Sequence, residues 1–207
     1  MKVVYVHGFA SSPQSRKAME FRAALAAHGV PVDIPAMDQG DFEHLTISGQ
    51  LNVLEDLIRG KPVCLIGSSM GGYLASLYAA AHAETARLVL LAPAFGFAHR
   101  WEEKINDTEI GASKPAGLEV FHYGDNKVRR VHYGLIEDAL RFPAAPDFKQ
   151  PARIFHGTHD DVVPIDYSRD FASSHANARL TELDSDHELL NVLDHIVAEA
   201  VPFLTEP

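Results

Sequence analysis

The chain has 207 residues, 46% of them hydrophobic and 22% charged. That composition excludes a disordered or fibrous protein. The length suits one domain, residues 1–207, with a core that buries roughly 70% of its unfolded surface. Eighteen Lys and Arg against 28 Asp and Glu leave a formal charge of −10, which repels phosphate backbones and argues against a nucleic-acid partner.

No apolar run approaches the roughly 18 residues needed to span a bilayer. The longest, 88–98, is interrupted by Pro93 and Gly96. The opening Met1-Lys2 leads directly into a short apolar run, without the layout of a signal peptide. A single cysteine, Cys64, cannot form an internal disulfide and fits a reducing compartment. Together these features point to a cytoplasmic protein with no membrane span. The oligomeric state is not legible.

Short apolar runs alternate with helical patterns, which predicts βα units and a mostly parallel sheet. The first strand is 2–6. A helix follows, with Ser12 as its cap and Pro13 in its first turn. Ala18, Phe21 and Leu25 share its face, and Gly29 ends it. Residues 30–34 read as a second strand. Ile47, Leu51, Leu54 and Ile58 form a helical stripe closed by Gly60 and Pro62. The run 63–67 is uniformly apolar, as a strand buried on both faces should be. Leu74, Leu77, Tyr78 and Ala81 then mark a helix.

Strands are expected at 87–92, 152–156 and 179–183, and helices at 165–175 and from Leu189 onward. Residues 97–147 break the alternation and read as a lid insertion. It opens with a short helix near 101–107. Two strands at 118–123 and 128–133 meet at Gly124-Asp125-Asn126-Lys127, a hairpin signal. The expected architecture is a three-layer α/β/α sandwich of about six mostly parallel strands.

The sharpest local signal is Gly67-Ser68-Ser69-Met70-Gly71-Gly72. It holds G-x-S-x-G between a buried strand and a helix, the context in which a serine is presented on a sharp strand-to-helix turn. Such a turn brings the flanking residues into close contact, which favours Gly67 and Gly71. The following helix aims its positive end at the site. Ser69 is the candidate nucleophile, and the Met70 amide a candidate oxyanion donor. Phosphate-loop patterns of the G-x-x-x-x-G-K-[ST] or G-x-G-x-x-G type are absent from this turn.

A serine needs a base, and with 12 histidines only position can choose one. Groups at the carboxyl ends of strands are favoured. His187 follows the last strand and is the candidate base, with His159 as competitor. His156 reads as support for a turn. Asp160 is the candidate acid that orients the imidazole, and Asp161 the alternative. The chain order is then Ser, Asp, His, as a serine on such a strand-to-helix turn requires of its partners. His7-Gly8-Phe9 follows the first strand, so the Phe9 amide is the second expected oxyanion donor. Phe95, Phe97, Trp101 and Tyr123, with Phe121 and Tyr133, are candidates for an acyl pocket, or for the lid's own core. No H-E-x-x-H occurs, and neither a metal nor another cofactor is expected.

These segments resemble the α/β-hydrolase superfamily, and within it the small bacterial esterases of the YqiA-like type. The resemblance rests on residues 5–13, the elbow 67–72, His156-Gly157-x-x-Asp160-x-x-Val163-Pro164, and the Asp186-His187 turn. It runs from the first strand to the last helix. Ser185 stands where many relatives carry glycine. The fold it implies lacks the two leading strands of larger members. The activity it implies is hydrolysis of carboxylic esters of small to medium acyl substrates, through an acyl-serine formed by Ser69, His187 and Asp160. A thioesterase, or a non-catalytic ligand-binding protein on the same scaffold, are the alternatives.

Overall fold

A computed structural model describes residues 2–106 and 117–206 of the chain. Residues 107–116 of the expected insertion lie outside the described residues, including the end of its opening helix.

The elements alternate as the patterning requires. They are β1 (Lys2–Val6), α1 (Arg16–Ala27), β2 (Val32–Asp33), α2 (Ile47–Ile58), β3 (Val63–Ser68), α3 (Met70–Ala81), β4 (Thr85–Leu91) and α4 (Phe97–Asn106). Then come β5 (Leu118–His122), β6 (Lys127–Val131), α5 (Gly134–Ala139), β7 (Ala152–Gly157), α6 (Asp166–Ser174), β8 (Ala178–Leu183) and α7 (Leu193–Thr205).

Six strands form one sheet in the order β2-β1-β3-β4-β7-β8, and all its pairings are parallel. The chain runs from β1 outward to β2, then returns to the other side of β1 with β3. That reversal opens a crevice at the carboxyl ends of β1 and β3, where open α/β sheets place their sites. The loops leaving these two strands are 7–15 and the turn at Ser69.

Side chains alternate across the sheet with period two. Val4, Val6 and Leu65 face a core shared with α2 and α3, whereas Val3, Tyr5, Cys64 and Ile66 face one shared with α1 and α7. Residues Met70–Ala79 of α3 are all buried. Full burial of roughly 1.5–3 kcal/mol per large apolar side chain makes the two faces the main source of stability.

Several expected boundaries are corrected. Ser12 does not cap α1, which begins at Arg16 after Ser15. Ser12 Oγ instead accepts the Gln14 amide at 3.3 Å, and its carbonyl accepts the Ser15 amide at 3.1 Å. The Pro13 stretch is therefore a turn. The second strand shrinks to Val32–Asp33, because the Val30 amide is spent on the Leu25 carbonyl and Pro31 has no amide to give. Leu189 adopts a left-handed conformation, φ 59°, so one 3₁₀ turn at Leu190–Val192 precedes α7.

The β5–β6 hairpin is antiparallel, and its turn occupies residues 123–126 with Asn126 at φ 52°. It is docked on the loop after β1. The Tyr123 amide donates to the Ala10 carbonyl at 2.7 Å, and the His132 amide to the Glu43 carbonyl at 2.8 Å. A Cβ on Gly124 would lie 2.6 Å from Ser12 Cβ, so a side chain there would push the hairpin off.

Candidate active site

Ser69 sits between β3 and α3 at φ 54°, ψ −118°. A non-glycine residue at positive φ is strained by about 1–3 kcal/mol and persists only when its surroundings fix it. The fixing is visible. The Ser69 amide donates to the Leu91 carbonyl at 2.8 Å, and the Ser69 carbonyl accepts the Gly72, Tyr73 and Ala94 amides at 2.9, 3.2 and 3.0 Å. A Cβ on Gly67 would stand 2.3 Å from the Gly71 carbonyl oxygen, and one on Gly71 would stand 2.0 Å from that of Val6. Gly71 thus lets α3 press against the end of β1. Met70 opens α3, so its amide lies outside the helix's own hydrogen-bond ladder.

The loop after β1 passes beside the serine. A Cβ on Gly8 would be 3.4 Å from Ser69 Cβ. The buried His7 ring braces this loop. Its Nδ1 donates to the Gly8 carbonyl at 3.0 Å, and its Nε2 accepts the Met37 amide at 3.4 Å. Burial lowers the His7 pKa, which favours this neutral form. Sequence reading assigned His7 no such task, since its partner Met37 lies 30 residues away. The Phe9 ring is half-buried against Phe42 at 5.5 Å and Trp101 at 5.9 Å.

His187 lies between Ser69 and Asp160. Its Nε2 is 3.0 Å from Ser69 Oγ and its Nδ1 2.7 Å from Asp160 Oδ2. A carboxylate only accepts, so Nδ1 carries the proton and Nε2 offers a lone pair to the hydroxyl. The turn holding His187 is built by its neighbours. Asp186 Oδ1 accepts the Glu188 amide at 2.9 Å, and Asn191 Nδ2 donates to the Asp184 carbonyl at 2.9 Å. Ser185 is buried and its hydroxyl meets Asn191. The glycine this turn needs is Gly157 opposite, where a Cβ would lie 2.3 Å from the Ser185 carbonyl oxygen.

The Asp160 side chain is fully covered. Its Oδ1 accepts the Val162 and Val163 amides at 2.9 and 2.8 Å. Burial pushes its carboxyl upward, but hydrogen bonds from His156 and His187 and the Val163 amide outweigh burial. The net result holds the carboxyl well below the usual carboxylate range. His156 takes Ser168 Oγ–H on Nδ1 at 2.8 Å, and its Nε2 donates toward the Val163 carbonyl and Asp160. It braces the loop, and its approach to Asp160 was not legible in the sequence. Asp161 is exposed. His159 is also exposed and pairs with Asp184 at 2.9 Å, away from Ser69.

The aromatic candidates separate. Phe95 is wholly buried, with its ring 4.7 Å from Phe171. The tight β4–α4 connection turns it into the core. Phe97 is buried beside Trp101 at 5.8 Å. Trp101 reaches toward the loop after β1, through Phe9. Tyr123 is 70% exposed on the hairpin turn, and there it is the backbone, not the ring, that meets this loop. Phe121 is exposed beside it, and Tyr133 is half-buried against the core.

A small cleft lies beside the loop, between His7, Phe9, Met37, Phe42, Gln50 and His122. It encloses about 10 Å³, room for roughly one water. Among the described residues no group of three or more His, Cys, Asp or Glu could hold a metal ion, and no helix is long and apolar enough to cross a membrane.

The parallel sheet, its flanking helices and the serine turn at the end of β3 define an α/β-hydrolase fold. Residues 2–205 match the family described as "Uncharacterised protein family (UPF0227)", and the chain belongs to it. Among solved structures, it is similar to Est1E from Butyrivibrio proteoclasticus with ferulic acid bound. The TM-score is 0.80 at 21% identity, covering 98% of this chain and 87% of that one. The mouse alpha/beta hydrolase domain-containing protein 10 gives 0.81 at 16% identity, covering 98% and 88%. By sequence, the chain is 26% identical to the mitochondrial palmitoyl-protein thioesterase ABHD10 of Bos taurus, over 95% of this chain and 67% of that one. It is 28% identical to monoacylglycerol lipase abhd6-B of Xenopus laevis, over 78% of this chain and 49% of that one.

Proposed function

We propose that this chain is a serine hydrolase of carboxylic esters or thioesters that works through an acyl-serine. The reading rests on the line of contacts Ser69 Oγ, His187 Nε2, His187 Nδ1 and Asp160 Oδ2, at 3.0 and 2.7 Å. The likeness to a palmitoyl-protein thioesterase and a monoacylglycerol lipase, and the ferulic acid bound to Est1E, support it.

Ser69 Oγ attacks the acyl carbonyl as His187 Nε2 takes its proton. Asp160 stabilises the imidazolium that forms, and does not itself take the proton. The carbonyl oxygen gains charge and is held by the Phe9 and Met70 amides, each worth roughly 3–4 kcal/mol in comparable chemistry. His187 then returns the proton to the departing alcohol or thiol. Water, activated by the same imidazole, attacks the acyl-serine and frees the acid.

Phe9, Phe97 and Trp101 form the apolar wall that receives the acyl chain, and residues 97–147 act as the lid over it. A short-chain p-nitrophenyl ester tests the reading. Ser69→Ala should abolish turnover, and a phosphonate should label the peptide containing Ser69. Unchanged hydrolysis by Ser69→Ala would remove the assignment. An acyl-length panel of oxygen esters against thioesters then chooses between the two substrate classes.

A further inference from the structure

Lys17 lies in the first turn of α1, directly after the loop that carries Gly8 and Phe9. The residue is half-buried. Nζ crosses to the turn after β8 and donates to the Glu188 carbonyl at 2.9 Å. Glu188 is the residue next to His187. The bond therefore spans 171 positions and ties the serine-side loop to the imidazole-side turn.

The negative charges of Glu188 and Asp186 on the turn after β8, and of Asp160 on the loop after β7, favour the charged ammonium. The inner architecture of the His187 turn is set by Asp186 and Asn191. Those contacts shape the turn but do not fix its distance from Ser69. Lys17 supplies a link of that kind from the opposite side of the crevice.

We propose that Lys17 is a positioning residue, which holds the His187 turn against the serine-side loop through the Glu188 carbonyl. The proposal rests on the hydrolase reading of Ser69 and His187. Burial lowers the ammonium toward about 8, against the opposing pull of Glu188, Asp160 and Asp186, so it is charged at neutral pH.

The test compares Lys17→Met and Lys17→Arg in the full chain with a p-nitrophenyl ester, after thermal melts confirm folding. Lys17→Met should lower kcat about ten-fold with KM within about two-fold, and slow phosphonate labelling of Ser69 in parallel. Lys17→Arg, which keeps a donor for the Glu188 carbonyl, should recover most of the rate. A merely structural role would lower the melting temperature and leave kcat per labelled Ser69 unchanged.

Wild-type kcat in Lys17→Met, or a rise in KM alone, overturns the proposal. If the Met variant does not fold, Lys17→Gln, neutral and shorter by one bond, carries the same kcat comparison. Hydrolysis that survives Ser69→Ala would instead remove the underlying hydrolase reading. A dead Ser69→Ala beside a normal Lys17→Met removes only the role of Lys17.

Discussion

His156 and His187 approach the same oxygen, Oδ2 of Asp160, at 3.0 and 2.7 Å. The other oxygen is taken by two backbone amides. Every donor around this carboxyl is therefore an N–H, and no position suits a second donor. An Asp160→Asn amide must set its NH₂ against either the imidazoles or the backbone. It should lower kcat by about 10³–10⁴-fold, through a misoriented His187. The exposed Asp161→Asn should stay within about three-fold. Steady-state rates of the two variants on one ester decide which aspartate acts.

The same carboxyl makes an acid-stability prediction. Its folded pKa is depressed, so its contribution is full above the unfolded value of about 3.9 and is lost as pH falls below it. Urea titrations between pH 6 and 3 should show wild-type stability falling more steeply toward acid than that of Asp160→Asn. Parallel slopes would count against the assigned hydrogen bonds.

Gly71 offers a contrast of mechanism with Gly60. A methyl at Gly71 would sit 2.0 Å from the Val6 carbonyl oxygen, whereas one at Gly60 meets nothing within 4 Å at φ +66°. Gly60→Ala should cost only the left-handed penalty, about 1–2 kcal/mol. Gly71→Ala must separate α3 from β1 and should cost several kcal/mol, or prevent folding. Chemical denaturation separates them.

Trp101 and Phe95 should respond differently to truncation. Trp101→Ala opens the wall beside Phe9. It should lower kcat/KM for medium acyl chains relative to acetyl by about ten-fold or more, with a modest stability change. Phe95→Ala leaves a core cavity against Phe171 and should cost about 3–5 kcal/mol, with acyl preference unchanged in whatever folds. The acyl panel and a melting curve read the two effects independently.

The elements most legible in sequence were those whose residues answer local demands. The uniform apolar run of β3 and the glycines around Ser69 are properties of a few consecutive positions. So is the offset that puts His187 at a strand end. What escaped depends on partners far along the chain. Ser12 looks like a helix cap until Gly124 packs against it. The second strand is cut short at Pro31, which the apolar run around it disguises. Phe95 has the composition of a pocket residue, and only the packing of α6 shows it to be core. Lys17 carries no motif, and the motif that holds His156 does not show its contact with Asp160.

The order of the sheet bears on how the protein is made. From β1, the strands β3, β4, β7 and β8 are added one after another along the same edge. Each can dock on a sheet already formed as the chain emerges from the ribosome. Ser69 is presented early in that sequence, but His187 lies 118 residues later, beyond the outermost strand. The pair cannot meet until β8 has closed the edge. Hydrolytic activity in a nascent or refolding chain would therefore report the last step of assembly, and a partly built protein would carry an inert serine.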